Sequence, residues 1–302
     1  MVTSITHLKP NNLSLAHSKL RLIAVSPTVS VQTALDLMYK NKITSLPIFS
    51  HNNTTIVSIV NLFDILIYLV ADSRSVVQKD QRKLNEPIEN VLGLDSDRES
   101  YRVYQCDCQD ELLETLKLFA SGIHRVLVVD YSDKNDNPWL LSQTDVIRHI
   151  SGHLDCIADL VSVDSTVESL GFLKNKPMVT VPLTQSALDV YRLMAKKDLG
   201  GLPIVDSEGR LQGDLCLEDL PGANLEMIEQ LVLPCGDYVK KMAGHQVITP
   251  TATPDTSLKD ILATMAKEDT HRVWIVDSKK TLKLIGVVTM SDIINLLCKK
   301  HH

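Results

Sequence analysis

Residues 270–297 read THRVWIVDSKKTLKLIGVVTMSDIINLL, and this stretch decides the fold. RVWIVD and KLIGVVT are β-branched runs on either side of a polar turn at 278–280, the pattern of a strand pair. Upstream, Leu258, Ile261, Leu262 and Met265 follow i, i+3, i+4, i+7 spacing, which predicts a helix with one buried stripe. Downstream, Thr289-Met290-Ser291-Asp292 resembles a capping box opening a second apolar helix. The unit is helix, strand, strand, helix. Its small sheet is covered on one side only, so it cannot bury much apolar area alone and should pair with another such unit.

Three further copies run through the chain. ITSLPIFSHNNTTIVSIVNLFDILIYL starts at Ile43, GIHRVLVVDYSDKNDNPWLLSQTDVIRHI at Gly122, and LGGLPIVDSEGRLQGDLCLEDL at Leu199. Their aspartates, Asp64, Asp145, Asp219 and Asp292, lie 81, 74 and 73 residues apart, too long a period for a solenoid. Ser30, Asp110, Thr184 and Thr256 are capping-type residues expected to open the leading helices. The expected fold class is α/β, of the α+β type, with four repeats in two pairs. The first pair spans 15–152 (repeats about 15–72 and 96–152) and the second 160–300 (repeats about 170–222 and 238–299). The charged stretch 71–101 and the Pro- and Gly-bearing stretch 220–237 read as connectors with local structure.

Composition narrows the function. Of 302 residues 44% are hydrophobic, 23% charged and only 4% aromatic, an ordinary globular balance with an aliphatic core. A formal charge of −6, with no block of five like charges, leaves no electrostatic footprint for nucleic acid. No apolar run reaches membrane-spanning length and the N-terminus has no signal-like apolar core, so no membrane partner is expected. The six cysteines form no C-x-x-C, which suggests neither zinc nor redox chemistry, and a reducing cytoplasm, with the nucleus also open, is the simplest setting. No nucleophile elbow, Walker loop, H-E-x-x-H or G-x-G-x-x-G is present, so no catalytic residue, metal or cofactor is expected. Cys106 and Cys108 read as strand residues.

The repeated aspartate admits two readings. As the acidic residue three past a cap, it supports a helix start and meets the positive end of the dipole. As a carboxylate at a strand-to-helix corner, it suits two adjacent hydroxyls such as those of a ribose, beside free N–H groups suited to phosphate. The cap position varies, Asn61, Ser142, Cys216 and Thr289, while the acid does not, and that favours the second reading. His124-Arg125 and His271-Arg272 occupy matching positions before a strand, where Arg is a fork for phosphate oxygens and His a titratable donor.

This pattern resembles the CBS-domain family, and four copies in one chain are similar to the γ regulatory subunits of AMP-activated protein kinases, over roughly residues 15–299. The resemblance implies two modules packed as a flattened disc, and adenine nucleotides (AMP, ADP or ATP) held in clefts between paired repeats. It also implies a non-catalytic role in a kinase complex, with catalytic and scaffold subunits as partners. Carried over, Asp64, Asp145, Asp219 and Asp292 match the ribose-binding position. His124, Arg125, His271, Arg272, Thr289 and Ser291 match the phosphate-binding positions. Thr44-Ser45 and Gly200-Gly201 depart from the basic pair, so repeats two and four carry the fuller motif. A stand-alone regulator of another enzyme, metabolic enzyme or phosphatase, and a scaffold with degenerate sites stay open.

Overall fold

The computed structural model describes residues 3–13, 22–52, 54–70, 82–94, 100–132, 138–174, 178–220, 229–243 and 249–299. In chain order the first repeat holds α1 (Val31–Asn41), β1 (Ser45–Phe49), β2 (Ile56–Asn61) and α2 (Leu62–Val70), followed by the single turn α3 (Arg82–Asn85). The second holds β3 (Gln105–Asp107), α4 (Leu112–Ala120), β4 (Arg125–Val129), β5 (Trp139–Ser142) and α5 (Gln143–Gly152). The third holds β6 (Val181–Pro182), α6 (Ala187–Lys197), β7 (Gly201–Val205) and β8 (Leu211–Cys216), then a 3-10 turn at Leu217–Asp219. Next comes α7 (Cys235–Ala243), whose Tyr238 joins the core of the third repeat, and the fourth repeat holds β9 (Thr251–Ala252), α8 (Leu258–Glu268), β10 (Arg272–Val276), β11 (Leu284–Thr289) and α9 (Met290–Cys298).

The expected strand pairs are present as antiparallel hairpins. Each repeat also adds an element not expected from its sequence: β3, β6 and β9 pair in parallel with β4, β7 and β10, and Val25 bridges Ile48 in the same sense. These pieces are one to three residues long, too short for alternation to register. Cys106 lies on β3 with Cys108 just beyond it, and burial pushes the Cys106 thiol up to about 11, where it is a poor nucleophile.

Capping explains the helix starts. Ser30 accepts from the Thr33 N–H as expected, but Ser186 and Ser257, rather than Thr184 and Thr256, cap α6 and α8. Glu111 precedes α4 without a side-chain cap bond, so Asp110 is not its cap; the Asp110 carboxylate accepts the Asp107 N–H instead. Each serine cap is worth about 1 kcal/mol. The predicted stripe of α8 is fully inside: Leu258, Ile261, Leu262 and Met265 are all buried, each contributing on the order of 1.5–3 kcal/mol.

The chain splits into two compact units. One joins residues 1–22, 104–178 and 249–302, hence repeats two and four; the other joins 23–103 and 179–248, hence repeats one and three. The contacts show why. In the first unit α5, which follows one sheet, packs on α8, which precedes the other, and α9 returns the arrangement onto α4; in the second unit α2 packs on α6. Helical spacing marks which face is buried but does not name the repeat that buries it. The first unit has one continuous core, including Leu116, Ile147, Leu262 and Ile294. The second has two clusters, one within repeat one and one in which Phe63 and Leu66 of α2 join the core of repeat three. Among the described residues no helix is long and apolar enough to cross a membrane.

Candidate functional site

Strand register aligns the four repeats. Across the hairpins Ser45 faces Asn61, Arg125 faces Ser142, Gly201 faces Cys216 and Arg272 faces Thr289. In every repeat, therefore, the residue matching the second of the basic pair lies directly opposite the cap, and the aspartate follows three residues later. Only in repeats two and four is that residue a cation, and both repeats belong to the same compact unit. The histidine backbones take part as well: the His124 carbonyl accepts the Gln143 N–H at 3.1 Å and the His271 carbonyl accepts the Met290 N–H at 3.1 Å.

All four aspartates close the same small ring. One carboxylate oxygen, Oδ2, accepts the backbone N–H of the cap residue: Asn61 at 3.2 Å onto Asp64, Ser142 at 2.8 Å onto Asp145, Cys216 at 2.8 Å onto Asp219, and Thr289 at 2.8 Å onto Asp292. The Ser142 and Thr289 hydroxyls donate to the same oxygen at 2.7 Å. The Asn61, Ser142 and Thr289 side chains each receive the N–H of their aspartate, and at Cys216 the backbone bond alone closes the corner while its thiol donates to Asp214 Oδ2 at 3.3 Å. The bond to the cap N–H is common to all four, so variation at the cap does not separate a binding carboxylate from a structural one, and any ligand contact is additional to it.

The four are not equally placed. Asp64 is fully buried, and its other oxygen accepts the Leu94 N–H at 3.1 Å and the Ser100 hydroxyl at 3.2 Å. Ser100 is fixed in turn, since its hydroxyl also accepts the Gly93 N–H at 2.6 Å and its carbonyl accepts the Ser58 hydroxyl at 2.7 Å. Gly93 adopts φ +78°, and a Cβ there would fall 2.0 Å from the Tyr101 ring, so the position beside Leu94 favours glycine. Both oxygens of Asp64, expected at the ribose position, are thus engaged within the unit, one by the Asn61 N–H and the other by the Leu94 N–H and the Ser100 hydroxyl. Asp145 is also buried, whereas Asp219 and Asp292 are half-buried.

The residue before each aspartate shapes the unit. Ser291 Oγ donates to Gln143 Oε1 at 3.2 Å, and Thr144 Oγ1 donates to the Met290 sulfur at 3.7 Å, a reciprocal exchange between repeats two and four. Gln143, absent from the sequence expectations, anchors this junction by donating to the Phe119 and Ile123 carbonyls. Ser291, expected to meet phosphate, donates its hydroxyl at this junction, while Thr289 combines capping with its place opposite Arg272. The signal for Gln143 was available in the alignment of SQTD with TMSD. Among the described residues no group of His, Cys, Asp and Glu is arranged for a metal.

A family model described as CBS domain matches residues 18–71, 167–223 and 239–299, more than half of the chain; residues 96–152 lie outside these matches but carry the same element order. The chain is 23% identical to a SNF1-related protein kinase regulatory subunit gamma-like protein, PV42a, of Arabidopsis thaliana, across 92% of this chain and 91% of that protein. It is also 23% identical to the 5'-AMP-activated protein kinase subunit gamma of Dictyostelium discoideum, across 92% of this chain and 49% of the relative. Among solved structures, protein MJ1225 of Methanocaldococcus jannaschii, described as a candidate archaeal homologue of γ-AMPK, matches with a TM-score of 0.73 at 19% identity. That match covers 98% of this chain and 100% of the archaeal one, and it shows the fold. The chain belongs to the CBS-domain family and is similar to kinase γ subunits over nine-tenths of its length.

Proposed function

We propose that this chain is a non-catalytic regulatory subunit that binds an adenine nucleotide, AMP, ADP or ATP, and modulates a protein kinase complex through catalytic and scaffold partners. The observation that carries the reading is the register in repeats two and four, where Arg125 and Arg272 lie opposite the hydroxyl-bearing caps Ser142 and Thr289. Each cap is followed by a carboxylate in the first turn of a helix. A forked cation beside the positive end of a helix dipole, with an acid next to it, is the chemistry a nucleoside phosphate needs: cation and dipole for phosphate, carboxylate for ribose hydroxyls. His124 and His271, one residue ahead, extend the basic edge. The kinase assignment rests on what the relatives are named, and with it goes a proposed cytoplasmic or nuclear setting.

The test is calorimetry of the purified chain with AMP, ADP and ATP, with the nucleotide recovered intact afterwards. Saturable heat for at least one nucleotide is expected. Failure to bind at millimolar concentration, where association is worth about 4 kcal/mol, leaves a scaffold with degenerate sites. The closed environment of Asp64 favours that second reading for repeat one alone. Affinity purification from the native cell then separates a kinase subunit from a stand-alone regulator of another enzyme, according to whether a kinase catalytic chain is recovered.

A further inference from the structure

Among the described residues, the carboxylate corner of the third repeat is built without the helix that braces it elsewhere. After Asn61, Ser142 and Thr289 the chain enters helices of 9, 10 and 9 residues. After Cys216 it makes only the turn Leu217–Asp219, and Leu220 leaves helical space at φ −57°, ψ 130°. The next residue, Pro221, has no N–H to offer. In an α-helix each carbonyl accepts the N–H four residues on. Here the Leu220 N–H goes to the Leu217 carbonyl at 3.0 Å, so Cys216 does not receive it.

Two buried tyrosines supply donors at the two ends of this turn. Tyr191 OH donates to the Cys216 carbonyl at 3.3 Å, and Tyr238 OH donates to the Asp219 carbonyl at 2.6 Å. Both rings are fully buried and meet edge to face, with centroids 6.2 Å apart. Tyr191 stands five residues after its helix cap, Ser186; the same position after Ser30, Glu111 and Ser257 holds Leu35, Leu116 and Leu262, all buried. Leucine fills that volume without a hydroxyl. The one repeat that replaces it with tyrosine is the one whose helix stops at the carboxylate. Any buried tyrosine needs an acceptor, but two hydroxyls from two helices meeting the two ends of a three-residue turn is a more specific arrangement.

We propose that Tyr191 and Tyr238 are positioning residues, whose hydroxyls take the place of helix N–H donors and hold Asp219 at the corner of the third repeat in a ligand-ready position. The ligand half of this proposal rests on the nucleotide reading above; the corner half does not. The test uses the full chain carrying Tyr191→Phe and Tyr238→Phe together, which keeps both rings. Hydrogen–deuterium exchange over residues 211–220 should quicken by about tenfold or more, while residues 284–294 stay unchanged. AMP titrations of wild type, Asp219→Asn and the double variant should show the double variant losing the same binding component as Asp219→Asn, by about tenfold. Unchanged exchange overturns the proposal. Faster exchange with the Asp219-dependent binding intact overturns its ligand half, and wild type binding AMP no better than Asp219→Asn does the same by removing the nucleotide reading of this repeat. If the double variant does not fold, Tyr191→Leu, the residue of the other three repeats, gives the same exchange readout at Cys216.

Discussion

Asp292→Asn separates the two roles that its carboxylate combines. Asp292 Oδ2 receives the Thr289 N–H at 2.8 Å and the Thr289 hydroxyl at 2.7 Å, both of which an asparagine carbonyl can still accept. What asparagine loses is charge near a helix N-terminus, worth about 0.3–1 kcal/mol. A unit of this size should therefore melt no more than about 4 °C early. A ribose hydroxyl donating to a carboxylate is worth about 1.5–3 kcal/mol against about 0.5–1.5 for a neutral acceptor, a difference of roughly tenfold in affinity. The fold provides its own control. Ser257 and Asp260 open α8 with a similar arrangement, the hydroxyl donating to Asp260 Oδ2 at 2.6 Å and accepting the Asp260 N–H at 3.3 Å. Asp260→Asn should cost similar stability and no affinity. The assay is paired thermal melting and AMP calorimetry on both variants. Equal loss of affinity in the two, or none in Asp292→Asn, refutes a binding role for Asp292 and leaves it a capping residue.

Three further outcomes are expected. His271→Ala combined with Arg272→Ala should weaken AMP and ATP by about tenfold or more while sparing adenosine, since the lost contacts are charge-assisted bonds to phosphate; equal weakening of all three ligands, read by calorimetry, would place the pair elsewhere. Asp64→Ala should destabilise the chain by about 1–3 kcal/mol, because Leu94 N–H and the Ser100 hydroxyl lose a buried acceptor, yet leave nucleotide affinity unchanged once folded, measured by denaturant melts and titration. Burial, and secondarily the stacked His153, pulls the pKa of His149 down, and its Nδ1 has no hydrogen-bond partner. The unfolded chain therefore takes up that proton first, so stability is full above the unfolded value of about 6.5 and falls as pH drops through it; melting from pH 7.5 to 5.5 should show this slope, reduced in His149→Phe.

The repeat unit was legible because its signals are long and mutually consistent. The α8 stripe, the two β-branched runs and the acidic residue after β11 all point one way, and the same pattern recurs four times. The short parallel strands were not legible, since a two-residue strand such as Val181–Pro182 or Thr251–Ala252 carries no period. Caps were misplaced by one or two residues where hydroxyls cluster, as in TQS at 184–186 and TS at 256–257. The fate of Asp64 was hidden for a different reason. It is decided by Leu94 and Ser100, about 30 residues away in a connector without periodicity, and nothing local to Asp64 distinguishes it from Asp292.

Which repeats share a unit also lay beyond the pattern, and the answer has a chemical consequence. If sequence neighbours made up the units, each unit would hold one basic pair. Grouping repeat two with four instead gathers His124, Arg125, His271 and Arg272 into one unit and leaves Ser45 and Gly201 at the equivalent positions of the other. The residues just before the aspartates sort the same way: Thr144 and Ser291 exchange contacts with Met290 and Gln143 across the first unit, whereas the second has Phe63, half-committed to the core of repeat three, and Glu218. Glu218 would oppose a phosphate, and Gly201, in the place of Arg272, has no charge to attract one. The two units are thus chemically unlike despite a common fold. The two basic pairs lie in one, while the other holds Asp64, with both carboxylate oxygens engaged, and Asp219, three residues past a cap that faces Gly201. A salt series on AMP binding reads this division directly. Affinity lost with rising salt should belong to the unit holding Arg125 and Arg272, and Asp219-dependent binding should be nearly salt-independent. A salt dependence that persists undiminished after both arginines are replaced by alanine would refute the division.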